Sequence, residues 1–142
     1  MSFATLLAAT RPAFLSVTLV GVLLGLCSAQ SDEAFRSPFL AVITLIFALI
    51  AHAGANVIND YYDGISGCDA ANVDRIFPFT GGSRFIQDGV LSTKQTALFG
   101  YALLIAVIPA GLYLVSQTGI GLIYIGLCGL LAGWAYSAKP IA

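Results

Sequence analysis

Four stretches of the chain are almost entirely apolar, and polar segments separate them. Each stretch is long enough to cross a bilayer as a helix, which takes about 20 residues. The predicted spans run from about 12 to 29, 38 to 58, 95 to 115 and 119 to 136. Pro12 and Pro38 stand at the first turn of their helices, where proline is tolerated. The pattern therefore predicts an all-α membrane protein with four transmembrane helices.

The polar segment from about 59 to 94 is the longest connection between predicted spans. Long loops in compact proteins are usually functional or disordered. Four apolar residues favour an ordered loop here: Phe77, Phe79, Phe85 and Ile86. Gly81-Gly82 predicts a tight turn, and the residues from Leu91 to Thr96 predict a new helix that starts at a Ser or Thr cap.

The composition agrees with a lipid environment. The chain is 58% hydrophobic and 9% charged, with a mean hydropathy of +0.92, whereas soluble domains carry about 25% charged residues. A net charge of -1 leaves no broad basic face, so nucleic acid is not an expected partner. Cys27, Cys68 and Cys128 form no CxxC pair and predict no disulfide framework.

Two pairs of glycines at four-residue spacing predict helix faces that approach their neighbours closely. The pairs are Gly21 with Gly25 in the first span and Gly129 with Gly133 in the fourth. Small residues at this spacing let helix backbones pack tightly in membranes.

The basic residues predict the orientation. If the N-terminus is cytoplasmic, the outside keeps Arg36 alone, and five of the six basic residues lie inside: Arg11, Arg75, Arg84, Lys94 and Lys139. Cytoplasmic loops of membrane proteins are enriched in Lys and Arg. We therefore expect the segment from 59 to 94 to lie on the cytoplasmic face of an integral membrane protein.

A stripe of polar residues ends the second span. At about 100° per residue on a helix, five side chains fall within about a third of the circumference: His52, Asn56, Asn59, Asp60 and Asp63. Ionisable groups in a membrane segment are costly and usually mark a functional site. For His52 alone, the sequence favours a buried imidazole that hydrogen-bonds to a neighbouring helix.

The acids near this stripe indicate a metal site. Gly64 and Gly67 let the chain leave the helix, so Asp69 is expected to fold back toward Asp60 and Asp63. Clustered carboxylates repel one another unless a cation lies among them. Oxygen ligands alone suit Mg²⁺, or Mn²⁺ in its place.

Mg²⁺ in proteins commonly bridges to phosphate, and three nearby basic residues would contact phosphate oxygens: Arg75, Arg84 and Lys94. The residues thus predict a Mg²⁺–diphosphate site at the cytoplasmic rim. The alternative is that Asp and Asn residues cap a helix end or face solvent. That alternative accounts for any one of them, but less well for five on one face followed by Asp69.

The spacing of the acids also resembles a known motif. Asn59-x-x-x-Asp63 followed by Gly67-x-Asp69 resembles the first Asp-rich motif of the UbiA superfamily of intramembrane prenyltransferases, most closely in the branch that prenylates 1,4-dihydroxy-2-naphthoate for menaquinone. Further segments are similar to that branch: Thr10 to Phe14, His52 with Asn56, Asp74-Arg75, Thr80 to Arg84, Gly89 to Leu91, and Ala135 to Ser137 with Pro140. The ubiquinone branch has its third acid at the position of Gly67, so Asp69 favours the menaquinone side.

The resemblance implies Mg²⁺-dependent transfer of a polyprenyl chain from its diphosphate to an aromatic ring. Asp63 and Asn59 are the implied catalytic residues. The implied Mg²⁺ ligands are Asn59, Asp60, Asp63 and Asp69. The expected substrate-binding residues are Asn56, Arg75, Arg84, Lys94 and His52. The implied partners are a prenyl diphosphate, an aromatic acceptor and membrane lipids, and the expected location is the inner membrane of a bacterium.

The chain departs from the family pattern in length. Family members resemble a nine-helix bundle whose second half carries another Asp-rich motif, and this sequence of 142 residues has no second motif. We therefore expect residues 1–142 to form the N-terminal part of one prenyltransferase domain, to need its C-terminal half as a partner, and to be inactive or nearly so alone.

Two other classes of function remain open at this point. A small ion- or proton-handling protein would use His52 and the acids as a relay, but the other spans carry no ionisable groups at depth. A non-catalytic membrane partner would supply four helices to another chain. Neither accounts for the whole polar segment as well as a prenyltransferase does.

Overall fold

The computed structural model describes residues 2–72, 74, 76 and 82–136. Within these residues the secondary structure is helical, without strands. The helices are α1 (Phe3–Ala9), α2 (Pro12–Ser31), α3 (Pro38–Ser66), α4 (Cys68–Ala71), α5 (Thr93–Thr118) and α6 (Gly121–Ala135). Three of them, α2, α3 and α5, are long and apolar enough to cross a membrane. The predicted all-α membrane fold is confirmed.

The fourth predicted span forms α6, which has 15 residues. This helix is apolar but shorter than the other three. The two prolines begin their helices as predicted, because Pro12 is the first residue of α2 and Pro38 that of α3. The three cysteines are free and exposed, in agreement with the absence of a disulfide framework.

Helix α3 continues beyond the predicted membrane span. It has 29 residues and ends at Ser66, whereas the apolar stretch ends near Ile58. Gly67 ends it with a φ of 80°, a left-handed conformation that glycine adopts without steric cost. The prediction that Gly64 helps the chain to leave the helix is wrong, because Gly64 lies inside α3. Asp60 and Asp63 are helical residues, as the polar stripe predicted.

The start of α5 follows the predicted capping pattern. The Ser92 hydroxyl accepts a hydrogen bond from Gln95 N, and the Gln95 side chain accepts one from Ser92 N at 2.9 Å. This capping box satisfies two backbone donors that would otherwise lack partners. Leu91, just before it, is buried against Val57 of α3, so the cap also fixes where the chain re-enters the bundle.

Helix α3 lies at the centre of the bundle and contacts α2, α4, α5 and α6. Val57 and Ile58 of α3 are fully buried. Two glycines bring α3 and α5 together, because a Cβ atom at Gly54 would lie 2.8 Å from Leu104 Cδ2 and one at Gly100 would lie 2.8 Å from Ile58 Cγ1. The helices approach closely where a side chain is missing.

The glycine pairs singled out in the sequence do not make these contacts. A Cβ atom at Gly21, Gly25 or Gly129 would have no other atom within 4 Å among the described residues, and one at Gly133 would make an ordinary contact of 3.6 Å with Ala55. Among the described residues the first three glycines thus meet no neighbouring helix, and their close approach stays a prediction. The four-residue spacing marks a smooth helix face but does not say whether a helix packs on it.

Gly100→Ala is expected to lower the free energy of unfolding by about 1–3 kcal/mol, the usual cost of overpacking. The added methyl group would press on the buried side chain and backbone of Ile58, which have no room to move. Gly111→Ala is the matched control, because it lies in the same helix with nothing within 4 Å. Thermal unfolding in detergent micelles measures both, and equal stability of the two variants would contradict the close approach.

Candidate functional site

The polar stripe of α3 faces the N-terminal part of the chain. His52 Nδ1 lies 2.8 Å from the Thr18 hydroxyl of α2, and the Asn56 amide donates to the backbone carbonyl of Thr10 at 2.9 Å. Thr10 itself is buried between α1 and α2. The prediction that these side chains point into the protein is confirmed, and so is the hydrogen bond from His52 to a neighbouring helix.

Arg11 is a site residue to which the sequence analysis assigned no role. Its guanidinium forms an ion pair with the Asp60 carboxylate, and its Nη2 donates to Asn59 Oδ1 at 3.3 Å. Arg11 is the N-cap of α2 and adopts left-handed backbone angles of φ 54° and ψ 66°. Such a conformation costs a non-glycine residue about 1–3 kcal/mol and is found where the surroundings enforce it. One signal in the sequence pointed to Arg11, which lies in the segment from Thr10 to Phe14 that resembles the first span of the family.

Asp60 is the most completely bound acid of the site. It is 4% exposed, and besides Arg11 it accepts two hydrogen bonds from the backbone N–H of Ser83, at 3.1 and 3.3 Å. Ser83 belongs to the segment that returns to the bundle before α5. Asp60 thus joins the start of α2, the end of α3 and this returning segment at one point.

The other acids of the site surround Asp60. Asn59 Nδ2 donates to Asp63 Oδ2 at 2.8 Å, one turn along α3. Asp69, in α4, is 3% exposed and lies 3.5 Å from Gln87 Nε2, which donates to its carboxylate. The expected return of Asp69 toward Asp60 is confirmed by Gly82, described next. We call Asn59, Asp60, Asp63 and Asp69 together the acid cluster.

Gly82 packs closely against the acid cluster. A Cβ atom there would lie 2.6 Å from Asp60 Oδ1, 3.1 Å from Asp69 Oδ2 and 2.8 Å from Arg11 Nη2. Its φ of 62° is again in the left-handed region that favours glycine. Carboxylates from two helices and the Arg11 guanidinium therefore approach the backbone at Gly82, and only a residue without a side chain allows this close packing.

The chemistry of these donors fits Mg²⁺. All four side chains of the acid cluster offer oxygen, the ligand that Mg²⁺ prefers. Among residues 2–72, 74, 76 and 82–136, however, no three His, Cys, Asp or Glu side chains are grouped closely enough to hold a metal ion as they stand. Arg11 lies among the oxygens that such an ion would use.

The surroundings of Asp69, in α4, disfavour its charged form. Burial raises the pKa of Asp69 above its ordinary value, and the carboxylates of Asp63 and Asp60 raise it further. The positive charges of Arg11 and Arg84 act in the opposite direction without cancelling the rise. A divalent cation would remove the repulsion that remains.

The three basic residues predicted to bind substrate differ in their surroundings. Arg84 Nη1 donates to the backbone carbonyls of Asp69 at 3.2 Å and Asn72 at 3.5 Å, so it stabilises α4 at the edge of the cluster. Lys94 is exposed on the first turn of α5. Arg75 lies outside the residues that the structure describes. The roles of all three in substrate binding stay predictions.

A cavity of about 480 Å³ opens beside Arg11. Apolar side chains of α1, the start of α2 and the returning segment form most of its wall, and Arg11 and Ser83 form its polar end. The cavity therefore borders the acid cluster directly. Sequence patterns did not predict this cavity, because its walls come from residues about 80 positions apart in the chain, from Leu7 to Phe85.

The fold and this cluster define a helical membrane protein with an acidic site where α2 begins and α3 ends. The model of the UbiA prenyltransferase family matches residues 14–142. The chain belongs to that family.

Individual relatives match most of the chain at low sequence identity. UbiA prenyltransferase domain-containing protein 1 of Xenopus tropicalis is 30% identical over 139 residues, which cover 94% of this chain and 37% of that protein. Its Drosophila melanogaster homolog is also 30% identical, over 144 residues, with 96% and 37% covered. The 1,4-dihydroxy-2-naphthoate octaprenyltransferase of Bacillus subtilis is 28% identical over 135 residues, with 93% and 40% covered.

The chain thus spans less than half the length of the curated relatives it matches. No solved structure matches the chain at a comparable level of significance.

Thr18→Val is expected to lower the free energy of unfolding by about 0.5–1 kcal/mol, the worth of one hydrogen bond between membrane helices. The substitution keeps the shape of the side chain and leaves His52 Nδ1 without the hydroxyl. Thr44→Val serves as control, because its hydroxyl donates to Leu40 O within its own helix. Thermal unfolding in micelles gives both values, and an equal loss in the two variants would argue against a bond that joins α2 to α3.

Proposed function

We propose that this chain is part of an enzyme that transfers a polyprenyl group from its diphosphate to an aromatic acceptor of the quinone-precursor type, with Mg²⁺. The observation that carries the proposal is the convergence of Asp60, Asp69 and Arg11 on the backbone at Gly82, at one end of a bundle of apolar helices. Membership of the UbiA prenyltransferase family and the Bacillus subtilis relative support it. We propose 1,4-dihydroxy-2-naphthoate as the acceptor, as the name of that relative suggests.

Within this proposal, the acid cluster holds the metal: Asn59, Asp60, Asp63 and Asp69. When bound, Mg²⁺ supplies positive charge to the diphosphate oxygens, which makes the diphosphate a better leaving group. Asn59 fixes the Asp63 carboxylate through a 2.8 Å hydrogen bond. Asp63 and Asn59 together would therefore hold the metal in position. The buried setting strengthens each of these interactions because little water screens them.

The basic and polar residues around the cluster complete the proposed site. Arg84 and Arg75 balance the charge of the leaving group, and Lys94 meets phosphate at the mouth of the site. Asn56 and His52 hold α3 in position, since each forms a hydrogen bond with the N-terminal part of the chain. The apolar helices below the cluster keep water from the reactive end of the prenyl chain.

The first test is incorporation of a labelled prenyl chain into 1,4-dihydroxy-2-naphthoate by membranes that contain the active protein. Asp63→Asn is expected to reduce the rate at least about a hundredfold, because a group that stabilises developing charge is lost. Asp32→Asn is the matched control, since that acid lies at the opposite end of α2. Residues 1–142 alone are expected to give little product.

Full Mg²⁺-dependent turnover by Asp63→Asn would refute the proposed role of the acid cluster. Rapid transfer by residues 1–142 alone would refute the expectation that these residues need a C-terminal half. Product from another aromatic acceptor, with none from 1,4-dihydroxy-2-naphthoate, would refute the proposed acceptor. It would leave the proposed prenyl transfer standing.

We also propose that the acid cluster faces the cytoplasm of a bacterial inner membrane. The proposal rests on five of the six basic residues, which lie on one side if the N-terminus is inside. After the native cysteines are replaced by serine, Asp88→Cys should be protected from a membrane-impermeant maleimide in intact cells. Ala34→Cys, between α2 and α3, should be labelled. The reverse labelling pattern would invert the topology.

A further inference from the structure

Arg11 places a fixed positive charge among the oxygens of the acid cluster. Its guanidinium pairs with Asp60, and its Nη2 also contacts Asn59 Oδ1 at 3.3 Å. The same Nη2 would lie 2.8 Å from a Cβ atom at Gly82, the point that Asp69 Oδ2 also faces. A divalent cation bound by the cluster would compete with Arg11 for the Asp60 and Asn59 oxygens.

The rest of the cluster does not depend on Arg11 for its position. Asp60 keeps two hydrogen bonds from Ser83 N, and Asn59 keeps its bond to Asp63. If the guanidinium moves away, these hydrogen bonds therefore still hold the oxygens in place. The ligands would not need to fold around a cation, because backbone and amide contacts already hold them.

The structure also provides a place to which Arg11 can move. Its Nε is buried and makes no hydrogen bond within the described residues, so the side chain is incompletely satisfied in its present position. Arg11 also lines the cavity of about 480 Å³. An arginine has a long, flexible stem, and rotation about its side-chain bonds moves the charge by several ångströms without a change in the backbone.

We infer that Arg11 is an internal counter-cation of the site: it neutralises the acid cluster when no divalent cation is bound, and it moves into the adjacent cavity when one binds. The inference rests on the proposed cation site. It assigns Arg11 a positioning role, since the residue acts through Asp60 and Asn59. The arrangement keeps the buried acids neutralised in both states and sets how tightly the metal is held.

The test measures binding of Mn²⁺, followed by the electron paramagnetic resonance of the free ion, to the full chain in micelles. Arg11→Gln should bind Mn²⁺ about tenfold more tightly than the unmodified chain, because a competing charge that acts at contact distance is gone. Arg36→Gln removes the same charge between α2 and α3, at the other end of the bundle, and should change the affinity less than about twofold. The rise in unfolding temperature on adding Mn²⁺ should also be larger for Arg11→Gln than for the unmodified chain or Arg36→Gln.

Arg11→Lys covers the case in which Arg11→Gln does not fold. Lysine keeps the charge but lacks the planar fork that meets Asp60 and Asn59 together, so we expect an intermediate gain in affinity of about threefold. Equal or weaker Mn²⁺ binding by the Arg11 variants, beside clear binding by the unmodified chain, would overturn the inference and leave the proposed function standing. No binding by any variant would overturn both.

Discussion

The hydrogen bonds between α3 and the start of the chain are the interaction on which the site depends. A bilayer offers no water to the polar side chains of a helix, so each of them must find a partner within the protein. His52, Asn56 and Asp60 find theirs in Thr18, Thr10 and Arg11, at successive turns of α3. Without those partners His52 and Asn56 would face lipid at a cost in free energy.

This constraint also explains why the cluster takes its members from distant parts of the sequence. A carboxylate on α3 can be buried only if donors reach it from elsewhere, and Ser83 supplies a backbone N–H from the segment before α5. Gly82, beside it, leaves room for two carboxylates to face one point. The returning segment is therefore part of the site and not a simple connection between helices.

Local patterns in the sequence predicted much of this arrangement. The stripe from His52 to Asp63 follows helical periodicity, and the cap at Ser92 follows a short motif, so both could be read from neighbouring residues. The apolar stretch of α3 ends near Ile58, but the helix continues until Gly67, whose left-handed angles end it. A drop in hydropathy marks the membrane boundary better than the helix end.

The partners of the stripe could not be predicted in the same way. Arg11 is separated from Asp60 by 49 positions, and no rule of spacing links an N-cap on one helix to an acid on another. Its left-handed backbone has no signature in the residue type. The tight contacts at Gly54 and Gly100 were missed for the same reason, since one sequence does not reveal which helix faces which.

The length of α3 fixes the depth of the acids. A helix of 29 residues is about 43 Å long, and the hydrocarbon layer is about 30 Å thick. An untilted α3 that fills this layer from Pro38 emerges near Ile58 and carries Asp60 and Asp63 on a stiff extension into the headgroup layer. An amphiphile with an anionic head floats with that head at the same height. It would reach the acids by lateral diffusion alone, without being lifted out of the bilayer or drawn into it.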